Sequence, residues 1–248
     1  MPDITIQSSR AVFAQDEHPI LSVVIPVHNE EEILEEQTEK LVEYTQHLTA
    51  EAEILFVENG STDKTLCVIK ELQKEYDCIR LKKLKKADYS TAVIEGVKAA
   101  KGKYSIIMGI DYVDLEVLGR CLHVLKNSDI VICSKNRGVD GRPIISRLTN
   151  KCYNILVRLF FGLKYSDIEG YHGYNNERIR PIISDIETKA HLCNLWVLVK
   201  ARKAALQVEE VPLTVYERRQ SKFMKLTSLP YLAAISLVEC IKLKSRGY

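Results

Sequence analysis

Two short apolar runs, Leu21–Val27 and Ile54–Val57, each break off into a polar cluster: Pro26-Val-His-Asn-Glu30 after the first, Glu58-Asn-Gly-Ser-Thr-Asp63 after the second. Runs that stay apolar on successive positions are buried on both faces, as strands of a parallel sheet are. In open sheets of that kind, ligands sit outside the carboxyl ends of the strands. Both polar clusters fall at that edge, so a binding crevice is the first expectation.

The rhythm continues along the chain. Strand patterns at 21–27, 53–58, 78–83, 104–110 and 129–134 alternate with helical patterns at 30–47, 63–76, 88–101 and 114–125. Such a βαβ succession predicts an α/β fold with a Rossmann-like, mostly parallel central sheet flanked by helices. Ser61-Thr-Asp63 ahead of Thr65 reads as a helix start, because a side-chain oxygen there satisfies backbone N–H groups that the helix leaves orphaned. After Lys135 the pattern loosens into a Gly- and Arg-bearing loop at 135–142 and an apolar-periodic helix at 144–161. A polar loop at 165–176, a helix at 186–203, a strand near 207–216 and a helix from 227 to 244 complete it. The expected organisation is an arm at 1–18, one domain at 19–225 with halves 19–134 and 135–225, and a C-terminal helix at 226–248.

Composition narrows the function classes. A formal net charge of +2 over 248 residues gives no global field that would draw the chain to nucleic acid, so an anion site must be local. Seven cysteines scattered without a C-x-x-C pair fit reduced thiols in a cytoplasmic protein and suggest neither a zinc site nor a disulfide framework. Residues 1–18 lack the pattern of a secretory signal. No run reaches the roughly 18 apolar residues of a membrane span. The nearest approach, Leu229–Leu243, is interrupted by Glu239 and Lys242.

Five motifs carry more specific information. PVHNEEE at 26–32, VENGSTD at 57–63, GVKAAKGKYSIIMGID at 96–111, the Ser134–Arg147 region and EVPLTVYERRQSK at 210–222 together resemble the family 2 glycosyltransferases of GT-A type. Within that family the resemblance is to dolichol-phosphate mannose synthases and related polyprenyl-phosphate glycosyltransferases.

The resemblance implies a donor site for a GDP- or UDP-sugar. Pro26, His28 and Glu30 would flank base and ribose, and Glu58, with Asn59 and Ser61 in the same loop, would meet the base edge, where an accept-only carboxylate suits base N–H groups or ribose hydroxyls. Asp111, closing a buried-type strand, matches the last residue of the family's Asp-x-Asp signature, with Gly109 in place of the first. There it would hold Mg²⁺ or Mn²⁺ against the donor diphosphate, the alternative being the N-cap of the helix that follows. Arg142 and Ser146, at the start of an apolar helix, match residues that hold the acceptor's phosphate. Lys135 stands for a further family arginine, and Arg218, Arg219, Ser221 and Lys222 fall where the family meets the donor diphosphate. Asp167 belongs to a loop resembling the family's Asp-x-x-x-Gly-aromatic-Arg, with His172 or Tyr174 where Arg is usual. Trp196 replaces a family Glu and is expected in the core.

The implied activity is inverting transfer of a hexose, mannose or glucose, to a polyprenyl (dolichyl) phosphate, with Asp111, Arg142 and Ser146 as the catalytic set. A phosphate acceptor is already ionised and needs no general base. Two other readings stay open: a family 2 transferase with a saccharide or other hydroxyl acceptor, which requires a base, and a catalytically weak nucleotide-sugar-binding regulatory protein, suggested by Gly109, Asn59 and Trp196. Lys222, Lys225, Lys242, Lys244 and Arg246 bracket the last helix. It either lies in the interface of an anionic membrane, making the protein peripheral on the cytosolic face, or docks on protein, including a second copy in a homodimer.

Overall fold

The computed structural model describes residues 19–111, 114–186, 192–215 and 229–247. Their backbone forms one seven-stranded sheet in the order β3-β2-β1-β4-β6-β5-β7. The strands are β1 (Leu21–Val27), β2 (Ala52–Asn59), β3 (Ile79–Leu84), β4 (Tyr104–Ile107), β5 (Ile130–Ser134), β6 (Tyr171–Asn175) and β7 (Val208–Pro212). All pairings are parallel except those of β6, which runs antiparallel to both β4 and β5.

Helices cover both faces, which is why the central strands are apolar at successive positions. Val23, Ile25, Ile54 and Phe56 face one core with α1 (Leu34–Leu48), α2 (Thr65–Glu75) and α4 (Glu116–Leu125). Val24, Leu55 and Val57 face the other, with α3 (Tyr89–Ala99), α5 (Ile144–Phe161), α6 (Asn176–Ser184), α7 (Cys193–Lys203) and α8 (Leu229–Ser245). Removing such side chains from water is the main favourable term in folding.

Three local expectations need correction. The apolar run 104–110 is a strand only to Ile107: Val24↔Ile107 is the last pairing, Met108 N donates to Val24 O at 3.1 Å, and the chain then leaves the sheet. The segment read as a polar loop contains β6 and leads into α6. Its buried side chains, His172 and Tyr174, satisfy each other through a 2.9 Å contact between His172 Nδ1 and the Tyr174 hydroxyl, so a central strand carries polar residues without orphaning them all. The helix start after Ser61-Thr-Asp63 lacks a side-chain N-cap at Lys64, yet Asp63 Oδ1 still accepts the Thr65 N–H at 2.9 Å.

Candidate functional site

From β1 the sheet continues to β2 on one side and to β4 on the other, and at such a change of direction open α/β sheets bind ligands at the carboxyl edge. The chain after β1, the end of β2 and the turn after β4 meet there. Pro26 is tolerated in a central strand because of its place. Val24 points its polar groups at β4, so Pro26, two residues on, points the same way, where the β4 ladder has already stopped.

The ends of β1 and β2 are laced together. His28 Nδ1 meets Asn59 O at 2.9 Å, and Asn29, at φ +58°, donates its N–H to Ser61 Oγ at 3.1 Å and accepts the Thr62 N–H on Oδ1 at 2.8 Å. Glu30 N donates to Thr65 Oγ1 at 2.8 Å. Glu58 is buried, with Oε1 accepting the Ser61 N–H, and Asn59 Oδ1 accepts the Asp88 N–H at 2.8 Å. Pro26, His28, Glu30, Glu58, Asn59 and Ser61 therefore do come together. Glu58 and Asn59 also shape the loop that holds the others. Asn29, in a left-handed conformation that asparagine tolerates better than most residues, went unremarked in the sequence although it ties both ends.

Asp111 is exposed in the turn after β4. A side-chain carbon added at Gly109 would lie 2.7 Å from both Asp111 Oδ1 and the Tyr171 hydroxyl, so the tyrosine at the start of β6 reaches the same spot. Asp114 is committed elsewhere, to Arg120 at 2.6 Å and to the Thr214 N–H at 3.1 Å, which removes it from the cation question. Among the described residues no three His, Cys, Asp or Glu side chains gather to hold a metal by themselves. A single carboxylate in the turn beyond a strand fits a hard cation that completes its shell with other oxygen ligands and water.

On the far side of β6 the polar groups form a buried network, in which Glu169 Oε1 has no hydrogen-bond partner among the described residues. The Lys135 ammonium lies 2.9 Å from Asp167 Oδ2 and 3.1 Å from the Glu169 carbonyl, while Asn150 Nδ2 donates to Asp167 Oδ1 at 3.0 Å. Burial alone would raise the Asp167 carboxyl, but the Lys135 charge and the hydrogen bonds outweigh it and hold it below the usual range. Glu169 goes the other way: desolvation, then the Asp167 charge, push it up to about 8. Burial pushes His172 down to about 4. Lys135 and Asp167 are thus joined as a buried pair linking the end of β5 to the loop before β6. Arg142 grips Asp140 in a two-pronged pair, Nε to Oδ1 at 2.9 Å and Nη2 to Oδ2 at 2.8 Å, and Ser146 lies half-buried in the first turn of α5.

Trp196 lies in the core as expected, 1% exposed, with the Arg246 guanidinium 5.0 Å from its ring. Arg218, Arg219, Ser221 and Lys222 lie outside the described residues, as does the arm at 1–18. Sequence reasoning missed Tyr171 and Glu169 as participants. Tyr171 lies at the start of a strand whose sequence, Tyr-His-Gly-Tyr-Asn, carries no clear apolar alternation, so no pattern pointed to it. Gly170 itself is fixed by crowding, since a side-chain carbon there would lie 2.3 Å from the Cys133 carbonyl oxygen.

Residues 22–179 match the model of the glycosyl transferase family 2. A dolichol-phosphate mannosyltransferase of Pyrococcus furiosus is 29% identical over 226 residues, 87% of this chain and 62% of that protein. A dolichyl-phosphate β-glucosyltransferase of Saccharomyces cerevisiae is 25% identical over 84% of this chain and 70% of its own length. The chain therefore spans less than two thirds of the first relative. Among solved structures, glucosyl-3-phosphoglycerate synthase of Mycobacterium tuberculosis, in complex with Mn²⁺, UDP and glucosyl-3-phosphoglycerate, superimposes with a TM-score of 0.67 at 16% identity, covering 90% of this chain and 80% of that one.

Proposed function

Because this chain belongs to glycosyl transferase family 2, we propose that it transfers a hexose, mannose or glucose, from a GDP- or UDP-sugar to a polyprenyl phosphate of the dolichyl type, with inversion at the anomeric carbon. The observation that carries this reading is the match, along more than four fifths of the chain, to two transferases named for a dolichyl phosphate. The crevice where β1, β2 and β4 end supports it, because it gathers the polar groups a nucleotide needs at the edge where α/β sheets bind ligands.

In this reading the interlocked ends of β1 and β2 bind base and ribose, with the His28 to Asn59 contact setting the width of the slot. Asp111 would hold Mg²⁺ or Mn²⁺, which when bound offsets charge on the departing diphosphate. Arg142 and Ser146 receive the acceptor phosphate at the start of α5, where Asp140 keeps the guanidinium fork oriented. The acceptor oxygen is already ionised and attacks directly. Catalysis then rests on position and on charge complementarity.

A phosphate carried on a polyprenyl chain must be met at a membrane. No helix of the described residues is long and apolar enough to cross one. One side of α5, however, exposes Ile144, Leu148, Ile155 and Leu159, from 59% to 78%, with Arg147, Lys151 and Arg158 also exposed along the helix. Beside it, α8 exposes Leu237, Val238 and Ile241 near Lys242 and Lys244. Apolar residues bordered by cations suit an anionic lipid interface, so the protein is read as peripheral on the membrane face that holds its donor.

Incubation with radiolabelled GDP-mannose or UDP-glucose and dolichyl phosphate, followed by organic extraction, tests the proposal. Label entering the organic phase from one donor is the expected result. Saturable nucleotide binding with no label transferred from either donor would instead favour a regulatory binding protein, the reading for which the absent carboxylate at Gly109 speaks.

A further inference from the structure

The imidazole of His28 stands between two partners that together fix its proton. Nδ1 lies 2.9 Å from the Asn59 carbonyl oxygen, which can only accept, so Nδ1 carries the hydrogen. Nε2 lies 3.3 Å from Asn29 Nδ2. The other end of that amide is settled independently, because Asn29 Oδ1 accepts the Thr62 N–H at 2.8 Å and a backbone N–H can only donate. The amide therefore turns its NH₂ to the ring, and Nε2 must be bare to receive it. We infer that Asn29 is a positioning residue for the donor slot: it holds His28 as the neutral imidazole protonated on Nδ1, and the slot between the ends of β1 and β2 keeps its shape and its nucleotide only while that ring is uncharged.

This role rests on the donor-site reading above and extends it. A proton added at Nε2 would set N–H against N–H. Turning the Asn29 amide over to present Oδ1 would abandon the Thr62 N–H, so in either case one tie between the two strand ends is lost. Asn29 reaches the second strand end twice, since its own N–H also donates to Ser61 Oγ at 3.1 Å. Its φ of +58° is one that asparagine and aspartate adopt more readily than most residues, so few other side chains could take its place. The charged groups on the segments that meet here are Glu30 and Glu31 after β1, Glu58 at the end of β2 with Asp63 and Lys64 beyond it, Lys86 and Asp88 before α3, and Asp111 after β4. Most are carboxylates, which favour an imidazolium. The Asn29 amide opposes them.

Two measurements on the full chain test the two halves separately. The first is a long-range ¹H–¹⁵N spectrum, with the His28 signals identified by their loss in His28→Gln. At about pH 7.5 the ring should carry one proton, on Nδ1. Asn29→Asp keeps the backbone preference and an oxygen for Thr62 but turns a second oxygen to Nε2, and should convert the ring to the doubly protonated form. A proton on Nε2 in the wild type, or a ring unchanged in Asn29→Asp, would overturn the assignment. The second is retention of radiolabelled GDP or UDP by the protein on ultrafiltration, at constant Mg²⁺. Between about pH 7.5 and about 5.5, the range in which imidazole side chains change charge, wild-type affinity should fall about tenfold more than that of His28→Asn, whose amide can still donate to Asn59 but takes up no proton. Asn29→Asp should be about tenfold weaker than the wild type already at the higher pH, the size of one lost hydrogen bond. Matching pH profiles for the wild type and His28→Asn, or an unweakened Asn29→Asp, would overturn the link between ring charge and nucleotide. Failure of either nucleotide to be retained at any pH, with the spectrum as expected, would overturn the donor-site reading and that link with it.

Discussion

Lys135 and Asp167 show how one pair of residues can be read two ways. In sequence the lysine is a cation available for phosphate; in the structure it neutralises a fully buried carboxylate. Lys135→Met should cost about 3–5 kcal/mol in denaturant unfolding, because it strands Asp167 uncompensated, whereas adding Asp167→Leu should recover most of that loss. Glu169 predicts a pH dependence. Its folded value of about 8 exceeds the usual 4.5, so the folded chain keeps this proton longer and stability falls as pH rises between those values. His172, at about 4 against 6.5, works in the opposite direction, losing stability as pH falls through that window. The two oppose each other between about 4.5 and 6.5, and above 6.5 Glu169 acts alone. Urea midpoints of the wild type should therefore drop between pH 6.5 and 8, and those of Glu169→Gln should stay level. Parallel declines would remove Glu169 from the account.

At the scale of elements, the first five strands and all helices but α6 were legible to within a few residues, apart from the early end of β4 and a later start for α7. Their apolar runs and 3.6-residue periods report burial directly. β6 was not legible, because its buried positions are His172, Gly173 and Tyr174, polar or small residues whose fit depends on neighbours remote in sequence. A strand inserted antiparallel into a parallel sheet also breaks the βαβ alternation that guided the reading. For α5 the periodicity was plain, but an apolar-periodic helix would ordinarily bury its stripe, and this one leaves Leu148 60% and Ile155 59% exposed. Leu148→Glu with Ile155→Glu should leave Tm nearly unchanged and abolish flotation with anionic liposomes. A large Tm loss would mean that the stripe is covered by protein, and undiminished flotation would assign membrane contact elsewhere.

For the whole molecule, the two strand ends from which a crevice is expected do meet, and they meet where the sheet changes direction between β1 and β4. The half proposed to take the donor was legible because its residues follow their strands within a few positions. The second half was not, because Lys135, Asn150, Asp167 and Glu169 converge from a strand end, a helix and a loop, and only the fold reveals that they answer one another. The function proposed for this chain is that of a GT-A transferase whose acceptor is a lipid-borne phosphate. Its most direct test is a comparison of dolichyl phosphate with dolichol, the same lipid without phosphate, in detergent, with the preferred labelled nucleotide sugar. Label should pass to dolichyl phosphate alone and be lost on Arg142→Ala; transfer to dolichol at a comparable rate would rule out a phosphate acceptor.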